Sequence, residues 1–156
     1  MYGPETPSRK RWGFLLTDQT DKRCLVYMEQ FYTRDKANEG VTLPLSLPNG
    51  DMTEESLTIL GIDSDDFKRA NTEEQRKIST TLEIAAKIDD DEERLAFVTK
   101  READSKLIIL AALIKAWSFE EECTEENKIN FLRNAPQIAD AINSYAADRK
   151  RFFGNG

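Results

Sequence analysis

Five consecutive carboxylates, Asp89 to Glu93, are the first group in this 156-residue chain that could do chemistry. As a metal site they fail on spacing. A calcium loop alternates its ligands, turns on a glycine and closes with a distant glutamate, and none of these is present. The run reads instead as the solvated first turn of a helix, favoured by the positive end of the helix dipole. Cys24 and Cys123 are the only cysteines and stand far apart, which is neither a zinc pattern nor a disulfide framework. Reduced thiols are expected. There is no histidine, so Ser-His-Asp and Cys-His catalysis and imidazole ligands are excluded. The P-loop, G-x-G-x-x-G and G-x-S-x-G motifs are missing too. Carboxylates are plentiful, but general acid–base work needs a pair held in a cleft with shifted pKa values, and no spacing here sets one up. The expectation is a non-enzymatic protein without metal or cofactor, in the class of binding or scaffolding proteins.

Two clusters have the chemistry of a binding surface. One is Trp117-Ser118-Phe119. The other is the tail Arg149-Lys150-Arg151-Phe152-Phe153, with Tyr145 on the stripe leading into it. Cations near a helix C-terminus suit the dipole. Neighbouring rings at 152 and 153 point about 100° apart on a helix, so burying both requires a second surface. The partner-binding candidates are therefore Trp117, Phe119, Tyr145, Arg149, Arg151, Phe152 and Phe153. A tryptophan at this place also suits a core anchor, packed against Leu113, Ile138 or Ile142. Near the start, Arg9, Lys10 and Arg11 precede Trp12 and Phe14, a basic-aromatic patch of the kind that binds RNA or membranes, or a loosely ordered tail.

The balance of charge narrows the partners. The net charge is −7 and the isoelectric point about 4.8, with the acidity concentrated in residues 41–118. Such a surface disfavours neutralising phosphates, so nucleic acid is not expected. Gly13-Phe14-Leu15-Leu16 is too short for a secretory signal. The most apolar run, Leu107 to Ala116, is about half of a bilayer span and is broken by Lys115. A soluble intracellular protein with no membrane partner is expected.

The elements that must position these residues read as mainly α, a small domain of about four helices with an N-terminal β-hairpin. Val41, Leu43, Leu45 and Leu47 alternate onto one strand face, Pro44 marks an edge or interrupted strand, and Asn49-Gly50 is a turn signal. The return strand is expected at about Leu57–Leu60. A helix over 64–88 follows, started by Asp63 or Ser64, with Phe67, Ala70, Ile78, Leu82, Ala85 and Ile88 inward and a polar middle at 71–77 where it bends or protrudes. The next helix is expected over 91–118, with Leu95, Val98, Ser105, Ile109, Ala112, Leu113 and Trp117 inward. Its apolar second half would make it the central core helix. Thr124 starts a helix over 124–133 with Ile129 and Leu132 inward, and Pro136 starts the last, over 136–152. Ile138, Ala141, Ile142, Tyr145 and Phe152 form its stripe, and Gly154 ends it.

From Met28 onward the chain resembles the tail assembly chaperones of long-tailed, siphovirus-like bacteriophages. The first stretch is Gly40-Val41-Thr42-Leu43-Pro44-Leu45 with Asn49-Gly50, then Leu57 to Ile62 and Asp63-Ser64-Asp65-Asp66-Phe67, which is similar to the family's opening hairpin and G-x-D-S-D-x-F helix start. The second is Trp117-Ser118-Phe119, Thr124-Glu125-Glu126-Asn127 and Pro136-Gln137-Ile138-Ala139-Asp140-Ala141-Ile142, closing with Arg149 and Phe152-Phe153. The order of these motifs carries the likeness more than any one of them. It implies a single domain over 28–156, with 1–27 an extension and Met28 a possible start. It also implies a non-enzymatic chaperone that binds the tape-measure protein, helps recruit tail-tube subunits, acts in the host bacterial cytoplasm and is absent from the finished virion. Homo-oligomers and a frameshifted longer form are open. Two rivals remain. One is a structural head–tail connector or adaptor kept in the virion; the other is an acidic DNA mimic or regulatory binding protein.

Overall fold

The computed structural model describes residues 26–154. The chain divides into two compact units, Met1–Phe31 and Tyr32–Gly156. The described part of the first contains a 3-10 turn at Met28–Phe31, where Gln30 bonds back to Tyr27 through its backbone and side chain. The cluster Arg9–Arg11 with Trp12 and Phe14, the residue Cys24, and all but the last two residues of the expected 1–27 extension lie outside the described residues.

The second unit is mainly helical with a small three-stranded antiparallel sheet. Its elements are α1 (Arg34–Glu39), β1 (Val41–Ser46), β2 (Met52–Ile59), α2 (Asp65–Ala85), α3 (Asp91–Ala111), β3 (Ile114–Trp117), α4 (Glu125–Asn134) and α5 (Pro136–Ala147), followed by a 3-10 turn at Arg149–Phe153. Among the described residues no helix is long and apolar enough to cross a membrane.

The hairpin forms where turn chemistry places it. Gly50 has φ +92, a left-handed conformation that glycine adopts without strain. Leu47 N–H donates to Asp51 O at 2.8 Å, and Asn49 bonds Asp51 through side chain and backbone. The return strand therefore starts at Met52, earlier than the expected Leu57. Its polar start is held by Thr53 Oγ1, which donates to Leu45 O. Strand order is β1-β2-β3, so Pro44 lies on an edge strand, next to an irregularity between Pro44 and Ser46. Leu45, Leu57 and Ile59 point into the core, while Leu47 is exposed.

The long third helix does not run to 118. It ends at Ala111, and Ile114–Trp117 is a strand antiparallel to β2, pairing Leu57 with Trp117 and Thr58 with Ala116. The apolar run Leu107 to Leu113 stays in the helix and the turn after it, and the segment that pairs is Ile114-Lys115-Ala116-Trp117, with Ile114 buried and Lys115 and Ala116 exposed. Here the free edge of β2 decides: Leu60 N–H donates to Leu113 O, and Ser118 N–H to Ser56 O, closing both ends of the new pair. Burying β2 with an unpaired edge would strand its backbone groups. The last helix is likewise shorter than expected. It stops at Ala147, where Asp148 leaves helical geometry and its carboxylate accepts from Lys150 N–H, starting the 3-10 turn.

The core gathers Leu57, Ile59, Leu113, Ile114, Leu132 and Ile142, all fully buried, from the sheet, the turn before β3, α4 and α5. Helix starts follow the local signals. Ser64 accepts from Phe67 N–H, Asp90 from Glu93 N–H and Thr124 from Asn127 N–H. The carboxylate run is thus the cap and first turn of α3. The helices α2 and α3, 21 residues each, pack antiparallel as a hairpin that adds only Phe67, Leu107, Leu110 and Ala111 to the core.

Candidate functional site

The seven partner-binding candidates fall into two groups, of which Trp117 and Phe119 in the first and Tyr145 in the second pack against the core. The first is built by β3. Ser118 Oγ accepts from Ser56 N–H at 2.8 Å and is bonded to Glu55, which fixes the exit of the strand and sets Phe119 beside Trp117. Trp117, Phe119 and Phe131 meet edge-to-face with centroids 5.5, 6.0 and 5.4 Å apart. The Trp117 indole donates to Glu121 O at 2.6 Å. Trp117 is half-buried: as the cross-strand partner of the buried Leu57 it lies on the core face of the sheet, packs against the core that includes Leu113, Ile138 and Ile142, and joins this ring cluster. All three rings are half-buried. Phe131 was not expected; it lies on α4 between the inward Ile129 and Leu132, and no local pattern distinguishes it.

The second group is the chain's C-terminal latch. Tyr145 OH donates to Thr42 O at 3.0 Å, and the Arg151 guanidinium stands 4.2 Å above the Tyr145 ring. Arg149 grips Asp63 with both arms, Nε–Oδ2 2.6 Å and a second bond of 3.0 Å. Phe152 is buried beside Ala37, Gly61 and Ala146, whereas Phe153 is 45% exposed. Only Phe153 of the pair offers a ring to a partner; Phe152 belongs to the chain's own packing.

This latch gives physical content to the Gly61-Ile62-Asp63-Ser64-Asp65 stretch. A Cβ on Gly61 would stand 2.9 Å from Ala37 Cβ and 3.3 Å from the Phe152 ring, so the close approach needs glycine. Asp63 holds Arg149, Ser64 caps α2, and Asp65 takes a two-armed bond from Arg34 and another from Asn38. Hydrogen bonding from Arg149 holds the Asp63 carboxyl below its usual range, and Arg34 does the same for Asp65. The same pairs raise the pKa of both guanidinium groups.

The α2–α3 hairpin holds a third surface that the sequence reading misplaced in part: Ala85 and Ser105, expected inward, are buried, but two leucines are not. Its seam buries Glu74, Thr81, Ala85 and Ser105. Glu74 is 1% exposed and bonds Lys77 at 2.7 Å and Arg101 at 2.6 Å. Burial alone would raise its pKa; the Lys77 bond, the nearby Ser105 hydroxyl and the Arg101 charge outweigh it and hold the carboxyl low. Ser105 Oγ stays outside hydrogen-bond geometry, within electrostatic reach of that carboxylate. Leu82 and Leu95, both expected inward, are instead exposed, Leu95 by 68%. With Ala85, Ala86 and Val98 they line a groove of about 630 Å³, flanked by Asp91 and Arg94. The signal that could have shown this is the all-polar stretch Asn71–Lys77: a seam that takes Glu74 has no room for a full apolar stripe.

Among the described residues no group of three or more metal-ligating side chains comes together. Comparison of the chain with protein-family models, with curated proteins and with solved structures finds no match.

Proposed function

We propose that this chain is a non-enzymatic tail assembly chaperone of a long-tailed bacteriophage. It binds the tape-measure protein, keeps that protein's apolar helices soluble and helps recruit tail-tube subunits. It works in the host bacterial cytoplasm and leaves before the virion is complete. The ordered motifs from Gly40 to Phe153 support this reading, and so does the absence of catalytic patterns in the sequence. The observation that carries it is the apolar groove of Leu82, Ala85, Leu95 and Val98, open on a hairpin whose seam is polar. Exposed apolar surface of this kind serves binding, and a groove between two helices receives the apolar face of a third. The exposed ring of Phe153 and the half-buried rings of Trp117 and Phe119 form further contact points on the body.

The test is co-expression with the tape-measure protein. Wild type should keep the partner in the supernatant and be pulled down with it. A Leu82→Ser, Leu95→Ser double variant should lose most of both effects while keeping its helical circular dichroism. Phe153→Ala should weaken the pull-down to a smaller degree. Stoichiometric amounts of the chain in purified virions would overturn the chaperone reading in favour of a head–tail connector.

A further inference from the structure

The opposite flank of the hairpin carries a different pattern. At 100° per residue, Glu93, Phe97, Lys100 and Asp104, spaced 4, 3 and 4 apart, form one stripe along α3. Phe97 is 40% exposed, and Ile84 of α2, on the same flank, is 49% exposed. Neither lines the Leu82–Leu95 groove. Among the described residues, neither Glu93 nor Lys100 enters an ion pair, although Arg94 and Arg101 beside them do. The stripe closes at Asp104, which takes Arg133 of α4 at 3.3 Å.

We propose that two copies of this chain pair through this flank, α3 against α3, antiparallel about a twofold axis at Phe97. Between Glu93 and Lys100 the charge order is its own complement, while Asp104, which falls level with Asp90 of the other copy, has its charge paired with Arg133. Reading along α3, acid, ring and base follow one another, so reversing the direction sets acid against base at both ends. With a rise of 1.5 Å per residue, Glu93 stands about 6 Å before Phe97 and Lys100 about 4.5 Å after it, within reach of each other's heads across the axis. The two Phe97 rings meet at the centre, with Ile84 of each copy alongside. A contact in which each copy offers the same patch is isologous and closes as a dimer, with no free end to grow from. A parallel pairing would set the two acidic runs, Asp89 to Glu93, against each other, so the same charges that favour one arrangement exclude the other. Length permits the arrangement. The tip at Asp90 lies about 10 Å from Phe97, level with Asp104, where α4 begins to cover the flank. This pairing uses none of the groove residues assigned above to the tape-measure protein, and stands or falls without that partner.

The experiment is sedimentation velocity on the full chain across a concentration series. Wild type should dimerise. Glu93→Lys and Lys100→Glu should each raise the dimer dissociation constant about tenfold or more, because each substitution reverses two symmetry-related pairs at once. The double swap Glu93→Lys with Lys100→Glu should restore the dimer. Mixing the two single variants should also restore it, as a heterodimer in which both pairs are again opposite in sign. A monomeric wild type, single variants that still dimerise, or a double swap that stays monomeric would each overturn the proposal.

Discussion

The sheet-centred body buries almost only apolar side chains, whereas the α2–α3 hairpin buries polar and apolar ones side by side. In the body, Leu57, Ile59, Leu113, Ile114, Leu132 and Ile142 are closed off from water, and the half-buried aromatics sit around them. In the hairpin, Glu74 and Ser105 are the most deeply buried, while Leu82, Ile84, Leu95 and Phe97 face outward. Each apolar side chain in the body contributes roughly 1.5–3 kcal/mol by leaving water. The hairpin gets little of that term and rests on one charged cluster and on the ends it shares with the body. The body is a finished object; the hairpin has its largest unspent driving force on its outside, where only another surface can use it.

The sharpest way to break this contrast is in the body. Ile142 is fully buried on α5 against the sheet. Ile142→Ala should cost about 3–4 kcal/mol, within the usual range for a buried large aliphatic. Urea midpoints followed by circular dichroism measure it. A loss below about 1 kcal/mol would mean that the body's core is not what holds the chain together.

The hairpin has its own weak point, which is electrostatic. Arg101→Ala removes one of two cations from a carboxylate that is almost wholly enclosed. Leaving a buried charge short of a partner costs on the order of 3 kcal/mol. Lys77→Ala should cost less, near 1 kcal/mol, because Lys77 is half-exposed and water can replace it. Equal losses would show that the seam is wetter than its geometry. Arg101→Ala combined with Glu74→Leu should recover part of the loss, since an apolar pair often substitutes well for a buried ionic one.

Acid should touch both regions, through different residues. Glu74 in the hairpin and Asp63 and Asp65 in the latch all have lowered pKa values. A carboxyl held low in the folded state stabilises that state above its unfolded pKa, about 4 for these side chains. The contribution is lost as pH falls through the folded value, because the unfolded chain then takes up protons first. Stability should therefore be flat from about pH 7 to pH 5 and fall below about pH 4. Glu74→Gln and Asp63→Asn should each lower stability at neutral pH and flatten the acid limb. Melts across that range, with each variant, check the sign. A steep fall above pH 5 would point to groups other than these.

Where local chemistry decides structure, the chain was legible. Asn49-Gly50 turns, Ser64 and Thr124 cap helices, the carboxylate run opens α3 and Pro136 opens α5, each through contacts within a few residues. What was hidden depends on distant partners. Ile114–Trp117 becomes a strand because β2, far earlier in sequence, presents an open edge. Glu74 goes inside because Arg101, on another helix, meets it there. Phe152 is buried because Asp148 bends the chain and Gly61 leaves room for the ring. The candidate site suffered most from this. Periodicity assigned Leu82 and Leu95 to the interior, which holds for a helix with an apolar seam and fails for one whose seam is ionic.

The smallest expected effect on stability is also the one that most sharpens the contrast. Leu82→Ser and Leu95→Ser remove apolar side chains that already face water, so neither loses a packed neighbour of the kind that makes core substitutions costly. Each should change stability by no more than about 0.5 kcal/mol, the usual scale for a surface position. Serine lowers helix propensity by a few tenths relative to leucine, which sets the sign as slightly destabilising. If the pair instead costs 2 kcal/mol or more, on the scale of a core truncation, the groove is closed by the chain itself. The hairpin would then be a second core and not a binding surface. If melts barely move while capture of an apolar helical partner is lost, the two regions have divided the work: one folds the chain, and the other is left incomplete for something else to finish.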